Sequence, residues 1–214
     1  TGYDYVTPAQ VNDIVTFTPV ADWFGVDTMT IIASDGALAD SVDLILTVDP
    51  VNDAPELIVM PDLVFLEDSS IALNLNGFVT DIDDTLSALS WSAVSGSENL
   101  DVSISSENQV ATFLPAQDYF DLGINVIFTV QDTSGATDTD TIAVTITPVN
   151  DAPVFSDTLL TISFTEDSIV TVGLAAWYDL IADVDNPDTS LEWSFTGYDY
   201  VTPAQVNDIV TFTP

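Results

Sequence analysis

The sequence predicts an all-β chain built from tandem antiparallel β-sandwich domains of about seven strands each. Three observations predict it. Apolar and polar residues alternate through one run after another, which places one face of each run inward on a half-buried strand. Asp, Gly, Pro and Asn punctuate these runs, and helical periodicity is confined to a single turn near LAAWYDLIAD at 174–183. Finally, two stretches recur. VNDAP at 51–55 returns at 149–153, 98 residues on, and TGYDYVTPAQVNDIVTFTP at 1–19 returns unchanged at 196–214, a period of 195.

The elements follow in chain order. Residues 1–53 read as the C-terminal part of a domain: the alternating opening stretch, VTFTPVADWF at 15–24, the turn ASDG at 33–36, and SVDLILTVDP at 41–50. In the last of these, Val42, Leu44, Leu46 and Val48 share a face. Residues 54–151 read as one complete domain, with LVFLEDSSIALNL at 63–75, LSWS at 89–92, ATFLPAQDYF at 111–120 and DTIAVTITPV at 140–149, where Ile142, Val144 and Ile146 share a face. Residues 152–214 read as the N-terminal part of a second domain type. There ISFTEDSIVTVGL at 162–174 aligns with 63–75 and LEWS at 191–194 with 89–92, just as 15–24 aligns with 111–120. The 44 residues of 152–195 and the 53 of 1–53 together make 97, one short of the complete domain. The identical ends have two readings. Either a long polypeptide repeats every 195 residues, or subunits exchange strands so that 1–53 of one chain completes its neighbour. Exact duplication of the opening stretch favours the first.

Composition excludes much. The chain carries 35 Asp plus Glu and no Lys, Arg or His, a formal charge of −35. With 47% hydrophobic and 10% aromatic residues it nevertheless holds the material for folded cores, which separates it from acidic disordered chains. No side chain can offset the mutual repulsion of the carboxylates, so dissolved cations must. The absence of Cys and His removes the usual ligand sets for zinc, copper and haem, along with the familiar nucleophile and base pairs. Oxygen ligands for Ca²⁺ or Mg²⁺ remain. A surface without cations excludes nucleic acid as a partner. No apolar run is long enough to insert in a membrane, and no leader opens the chain.

The aromatic residues Trp91 and Trp193, Phe113 and Phe17, and Phe65 and Phe164 fall in aligned pairs, which argues for core packing. Tyr3 and Tyr5, with their copies Tyr198 and Tyr200, face Ser97 and Asn99 in the alignment, so the fold does not demand them and they are candidates for a lateral contact.

The ordered set of PVNDAP at each repeat end, ED at 67–68 and 166–167, DID at 81–83, DVD at 183–185 and ASDG at 33–36 resembles the cadherin-like tandem repeats of large bacterial surface proteins. TFTPVADWFGVDTMTIIASDG at 16–36 is especially similar to the bacterial form. The resemblance spans the chain and implies Greek-key sandwiches of cadherin/Ig-like type with Ca²⁺ clustered at each junction between domains. At the junction of 149–153 it implies Glu67, Asp68 and Asp118 from the domain above, Asn150 and Asp151 from the linker, and Asp183 and Asp185 from the domain below. At the junction of 51–55 it implies Asp22, Asn52, Asp53, Asp81, Asp83 and Asp132. Asp35, Glu166 and Asp167 would hold the same places at further junctions. The pattern Gly25-x-Asp27 becomes Asp121-Leu122-Gly123 in the complete domain, a departure that puts the fourth carboxylate there in question. Scattered acids such as Asp62, Asp101, Asp138 and Asp157 read as turn and solvated positions.

The function this implies is structural rather than enzymatic: a repeat segment of a calcium-stiffened extracellular fibre or giant surface adhesin, its partners adjacent identical repeats or copies of itself. A carbohydrate-binding adhesin module is the alternative, with Trp23, Trp177 or the Tyr3 and Tyr5 pair stacking on cell-surface glycans. A carboxylate-based glycoside-active domain ranks lower, because the loops are short and no insertion builds a cleft.

Overall fold

The computed structural model describes residues 5–156 and 160–214; Tyr3 and Asp157 lie outside them. The chain opens with two hairpins. Strands β1 (Val6–Val11) and β2 (Ile14–Pro19) pair antiparallel around Asn12, and β3 (Gly25–Ser34) pairs along its whole length with β4 (Ala39–Val48).

The next nine strands are β5 (Glu56–Leu57), β6 (Leu63–Leu66), β7 (Ile71–Asn74), β8 (Val79–Thr80), β9 (Ser90–Ser95), β10 (Leu100–Ser105), β11 (Val110–Pro115), β12 (Asp121–Gln131) and β13 (Thr137–Thr147). They make a sandwich. One sheet runs β6-β13-β12-β9 and the other β10-β11-β7, with the short pair β5-β8 beside them. All pairings are antiparallel except the edge pair β6-β13, which runs parallel. Inward residues of both sheets meet in one core. Leu75, Leu100 and Phe113 come from the three-stranded side, and Val126, Phe128, Ile142, Val144 and Ile146 from the other. Phe128 is the hub, meeting Trp91 edge-on at 6.5 Å and Phe113 at 6.1 Å. Gly96 lets β9 approach its neighbour: an added Cβ would sit 2.9 Å from the Asn125 carbonyl.

The final part contains β14 (Val154–Phe155), β15 (Val170–Gly173), a single helical turn α1 (Ala175–Tyr178), β16 (Ile181–Ala182), β17 (Thr202–Val206) and β18 (Ile209–Thr213). Here β18 pairs with β17 in the register that β2 adopts with β1, and its other edge pairs with β15.

Two sequence expectations need correction. Val42 is 64% exposed, unlike its half-buried companions Leu44, Leu46 and Val48; it lies nearest the β3-β4 turn, and its counterpart Asp140 stands outside the core of the complete sandwich. Phe17 is 38% exposed, whereas its counterpart Phe113 is sealed.

Candidate metal centres at the two linkers

The two VNDAP linkers are held by one hydrogen-bond scheme. Asp81 Oδ1 accepts the amides of Asp83 (2.9 Å) and Asp84 (2.8 Å), folding D-x-D into an Asx turn. Asp183 Oδ1 does the same for Asp185 (3.0 Å) and Asn186 (2.8 Å). The second carboxylate then reaches back to the linker. Asp83 Oδ2 accepts the Asp53 amide at 2.7 Å, and Asp185 Oδ2 accepts the Asp151 amide at 2.6 Å. Asn52 and Asn150 each donate to the carbonyl of the following Asp, at 3.0 and 2.9 Å.

At the first linker, Asp81, Asp84 and Asp132 bring carboxylate oxygens within 4.8 Å of one another. Asp132 is buried, and its oxygens accept the Asn52 amide (2.7 Å) and the amides of Ser134 and Ala136. The Asn52 contact, supported by those backbone amides, holds its pKa below the ordinary carboxylate value against the opposing effect of burial. Asp81 Oδ2 is buried with no hydrogen-bond partner. Asp84 was absent from the expected ligand set. It accepts the Thr133 hydroxyl at 2.9 Å and belongs to the cluster, and the third acid of DIDD was its only trace in the sequence.

At the second linker, Asp68, Asp118 and Asp151 converge within the same 4.8 Å. Glu67 joins them from the buried side: it is 3% exposed, Oε1 accepts the Val149 amide at 2.7 Å, and Oε2 has no partner. Asp151 Oδ2 is likewise buried and unpaired. Burial, followed by the charges of Asp118, Asp68, Asp185 and Glu67, pushes the Asp151 carboxyl above its ordinary pKa. Asp68 and Asp118 both sit at positive φ, 56° and 54°, as do Asp167 (58°) and Asp22 (62°) at the matching places. Asp tolerates this left-handed conformation better than most residues.

Other predicted residues are not gathered in these clusters. Asp22, Glu166 and Asp167 are exposed. Asp35 caps the β3-β4 turn by accepting the Leu38 and Ala37 amides, which lower its pKa, at the end of the hairpin opposite Asn52. Asp121, in the departing motif, accepts the Tyr119 hydroxyl at 3.1 Å.

Asp138 is not the solvated turn residue expected, since it is half-buried within β13, while Asp62 is exposed as expected and still bonds a distant amide. Asp138 Oδ2 accepts the Leu57 amide (2.8 Å), Asp140 Oδ2 the Met60 amide (2.9 Å), and Asp62 Oδ1 the Ala143 amide (2.8 Å). These carboxylates stitch 57–62 to β13 where backbone pairing lapses. Tyr5 stacks on one face of Trp23 at 4.7 Å and 7°. Trp177 packs against Trp193 and Phe195.

Chemically, the clusters are sets of hard oxygen donors without thiolate, imidazole or ammonium. The unpaired buried oxygens of Asp81, Glu67 and Asp151 fit a hard divalent cation such as Ca²⁺, which takes six to eight oxygens.

The sequence model of a family described as "Bacterial Ig domain" matches residues 52–145, the span of the complete sandwich. The match is consistent with the resemblance to bacterial cadherin-like repeats. No curated protein matches the chain. Among solved structures, the chain is similar to protocadherin gamma B2 extracellular cadherin domains 1–5 (14% identity, TM-score 0.49, covering 99% of this chain and 44% of that one). It is similar also to protocadherin gamma B7 extracellular cadherin domains 1–4 (15% identity, TM-score 0.48, 99% and 56%). An endo-fucoidan hydrolase from glycoside hydrolase family 107 is a third (16% identity, TM-score 0.38, 99% and 33%). The chain thus spans between a third and just over half of the lengths of these proteins.

Proposed function

We propose that the chain is a structural, non-catalytic repeat segment of an extracellular fibre or large surface adhesin, in which Ca²⁺ at the linkers stiffens a string of sandwiches. The observation that carries this reading is the second linker, where Glu67, Asp68, Asp118, Asp151 and Asp185 converge in a chain that has no cationic side chain. Left to themselves these carboxylates repel, and the linker opens. A divalent cation gives them a common partner and ties the 54–151 sandwich to the segment that follows it. Glu67, Asp68, Asp118 and Asp151 would hold the ion there, and Asp81, Asp84 and Asp132 would hold one at the first linker. Extracellular calcium modules work at about 10⁻⁴ to 10⁻³ M, a range suited to a cell surface. Its partners in such a fibre are adjacent repeats.

Calorimetric titration of the chain with CaCl₂ tests the reading. Saturable binding is expected, weakened by Asp68→Asn with Asp118→Asn at the second linker and by Asp81→Asn with Asp84→Asn at the first. Chelator is expected to shorten the maximum dimension in small-angle scattering. Equal rigidity in NaCl plus chelator would mean that bulk screening suffices, and the cation reading fails.

A further inference from the structure

We propose that the outer face of the β6-β13-β12-β9 sheet is a lateral contact surface, on which the same face of a second copy of this chain docks.

The first ground is where the acids of this sheet point. Ile142, Val144 and Ile146 enter the core, so the alternate residues of β13, five Thr and Ala143, turn outward. The four strands carry three acids, Asp121, Asp138 and Asp140, and all three lie on the inner side. Asp138 and Asp140 accept the Leu57 and Met60 amides, and Asp121, opposite the buried Ile146, accepts the Tyr119 hydroxyl. Of the described residues, none that these strands turn outward is charged. Exposed aliphatic side chains stand there instead: Val64 (66%), Leu66 (53%), Val94 (65%) and Ile127 (46%). Ile127 lies between Thr141 and Val94 across the sheet. The β3-β4 hairpin repeats the pattern, with Val26, Ile32 and Ile45 exposed on its outer face. Its single acid there, Asp43, accepts the Thr30 hydroxyl at 2.9 Å.

Charge identifies the occupant. Each copy has a formal charge of −35 and no cationic side chain, so copies that met through turns or linkers would set carboxylate against carboxylate. A face without carboxylates is where like can approach like. A two-fold contact places each residue near its own equivalent, and Thr, Val and Ile tolerate that where Asp would not. A cationic partner is drawn elsewhere, to the linkers where the acids converge. The size of the face sets the strength of the contact. Four strands about 4.8 Å apart and ~20 Å long offer roughly 400 Å², half of the ~800 Å² that each partner of a stable complex buries. A single contact is therefore weak, and repeated faces along one chain reinforce it. The contact stands apart from the cation reading, because no carboxylate takes part in it.

The full chain at high concentration is the test material. Sedimentation equilibrium should show a reversible dimer that strengthens from low to high NaCl, in calcium and in chelator alike, since salt screens the surrounding repulsion and spares an apolar contact. Val94→Glu with Ile127→Glu should weaken association by at least about tenfold, because the charges would enter the contact and face their own equivalents. Leu114→Glu, on the outer face of the other sheet and likewise exposed, should leave it intact. All three side chains are exposed, so circular dichroism should report unchanged folds. In this cysteine-free chain, Ile127→Cys should form a disulfide-linked dimer faster than Leu114→Cys. A monomer at both salt concentrations, equal effects of the two sets of Glu variants, or equal cross-linking rates overturns the proposal. So does slower cross-linking of Ile127→Cys on addition of polylysine, which would assign the face to a cationic partner.

Discussion

The sandwich of 54–151 and the hairpins of 5–53 carry the same strand pattern and reach opposite states of burial. Phe128 is sealed and Ile31, in the same place on the matching strand, is 46% exposed; Phe113 is sealed and Phe17 is 38% exposed. The alternation in both regions decides which side of a strand is apolar. Only a second sheet at about 10 Å turns that side into a core. The linkers draw a parallel contrast. Glu67 is buried against the Val149 amide, while Glu166, in the matching ED pair, is exposed.

The largest expected effect breaks that contrast at its centre. Phe128→Ala should cost about 3–5 kcal/mol through transfer and cavity terms, whereas Ile31→Ala in dilute chain should stay within about 0.5 kcal/mol. Urea denaturation read from backbone circular dichroism measures both, and equal losses would mean that Ile31 has its own cover. Next comes the glutamate pair. Glu67→Ala leaves the Val149 amide without its acceptor and should cost about 1–3 kcal/mol in chelator, while Glu166→Ala should be near neutral. A smaller difference is expected at the stitches. Asp138→Ala frees the Leu57 amide, for about 1 kcal/mol, and amide exchange there should quicken. Asp40→Ala, at the aligned position, removes only a local cap on Ser41 and should do less.

The smallest effects are in pH, and their signs differ between the linkers. The Asp151 pKa is raised above 3.8, chiefly by burial and then by its acidic neighbours. In chelator its ionisation therefore opposes the fold, so stability is fullest below 3.8 and declines as pH climbs through the raised value. Asp151→Asn should abolish that decline. Asp132 is lowered below 3.8, chiefly by Asn52, so its contribution is present above 3.8 and is lost as pH falls through the lowered value. Asn52→Ala should flatten this acid limb. Urea midpoints across the acid range separate the two slopes.

Most of the architecture was legible because side-chain period, turn residues and repeated phrases are local properties. The D-x-D turns are local in the same way: Asp81 and Asp183 bond amides two and three residues ahead. Asp84 escaped because its role depends on Thr133 and Asp132, 49 and 48 residues away, brought near by the β12-β13 turn. Asp62, Asp138 and Asp140 escaped for the same reason. Each bonds an amide about 80 residues distant, and an isolated Asp reads the same in the sequence whether it faces water or a backbone amide.

By itself the sequence determined that the chain is all-β, that it repeats, and that its chemistry rests on carboxylates with no positive partner, since these follow from residue identity and spacing alone. The tertiary structure decided which acids are buried and left with unpaired oxygens, and which apolar faces are covered. Burial and charge repulsion depend on distances between residues remote in the chain, and folding alone sets those distances.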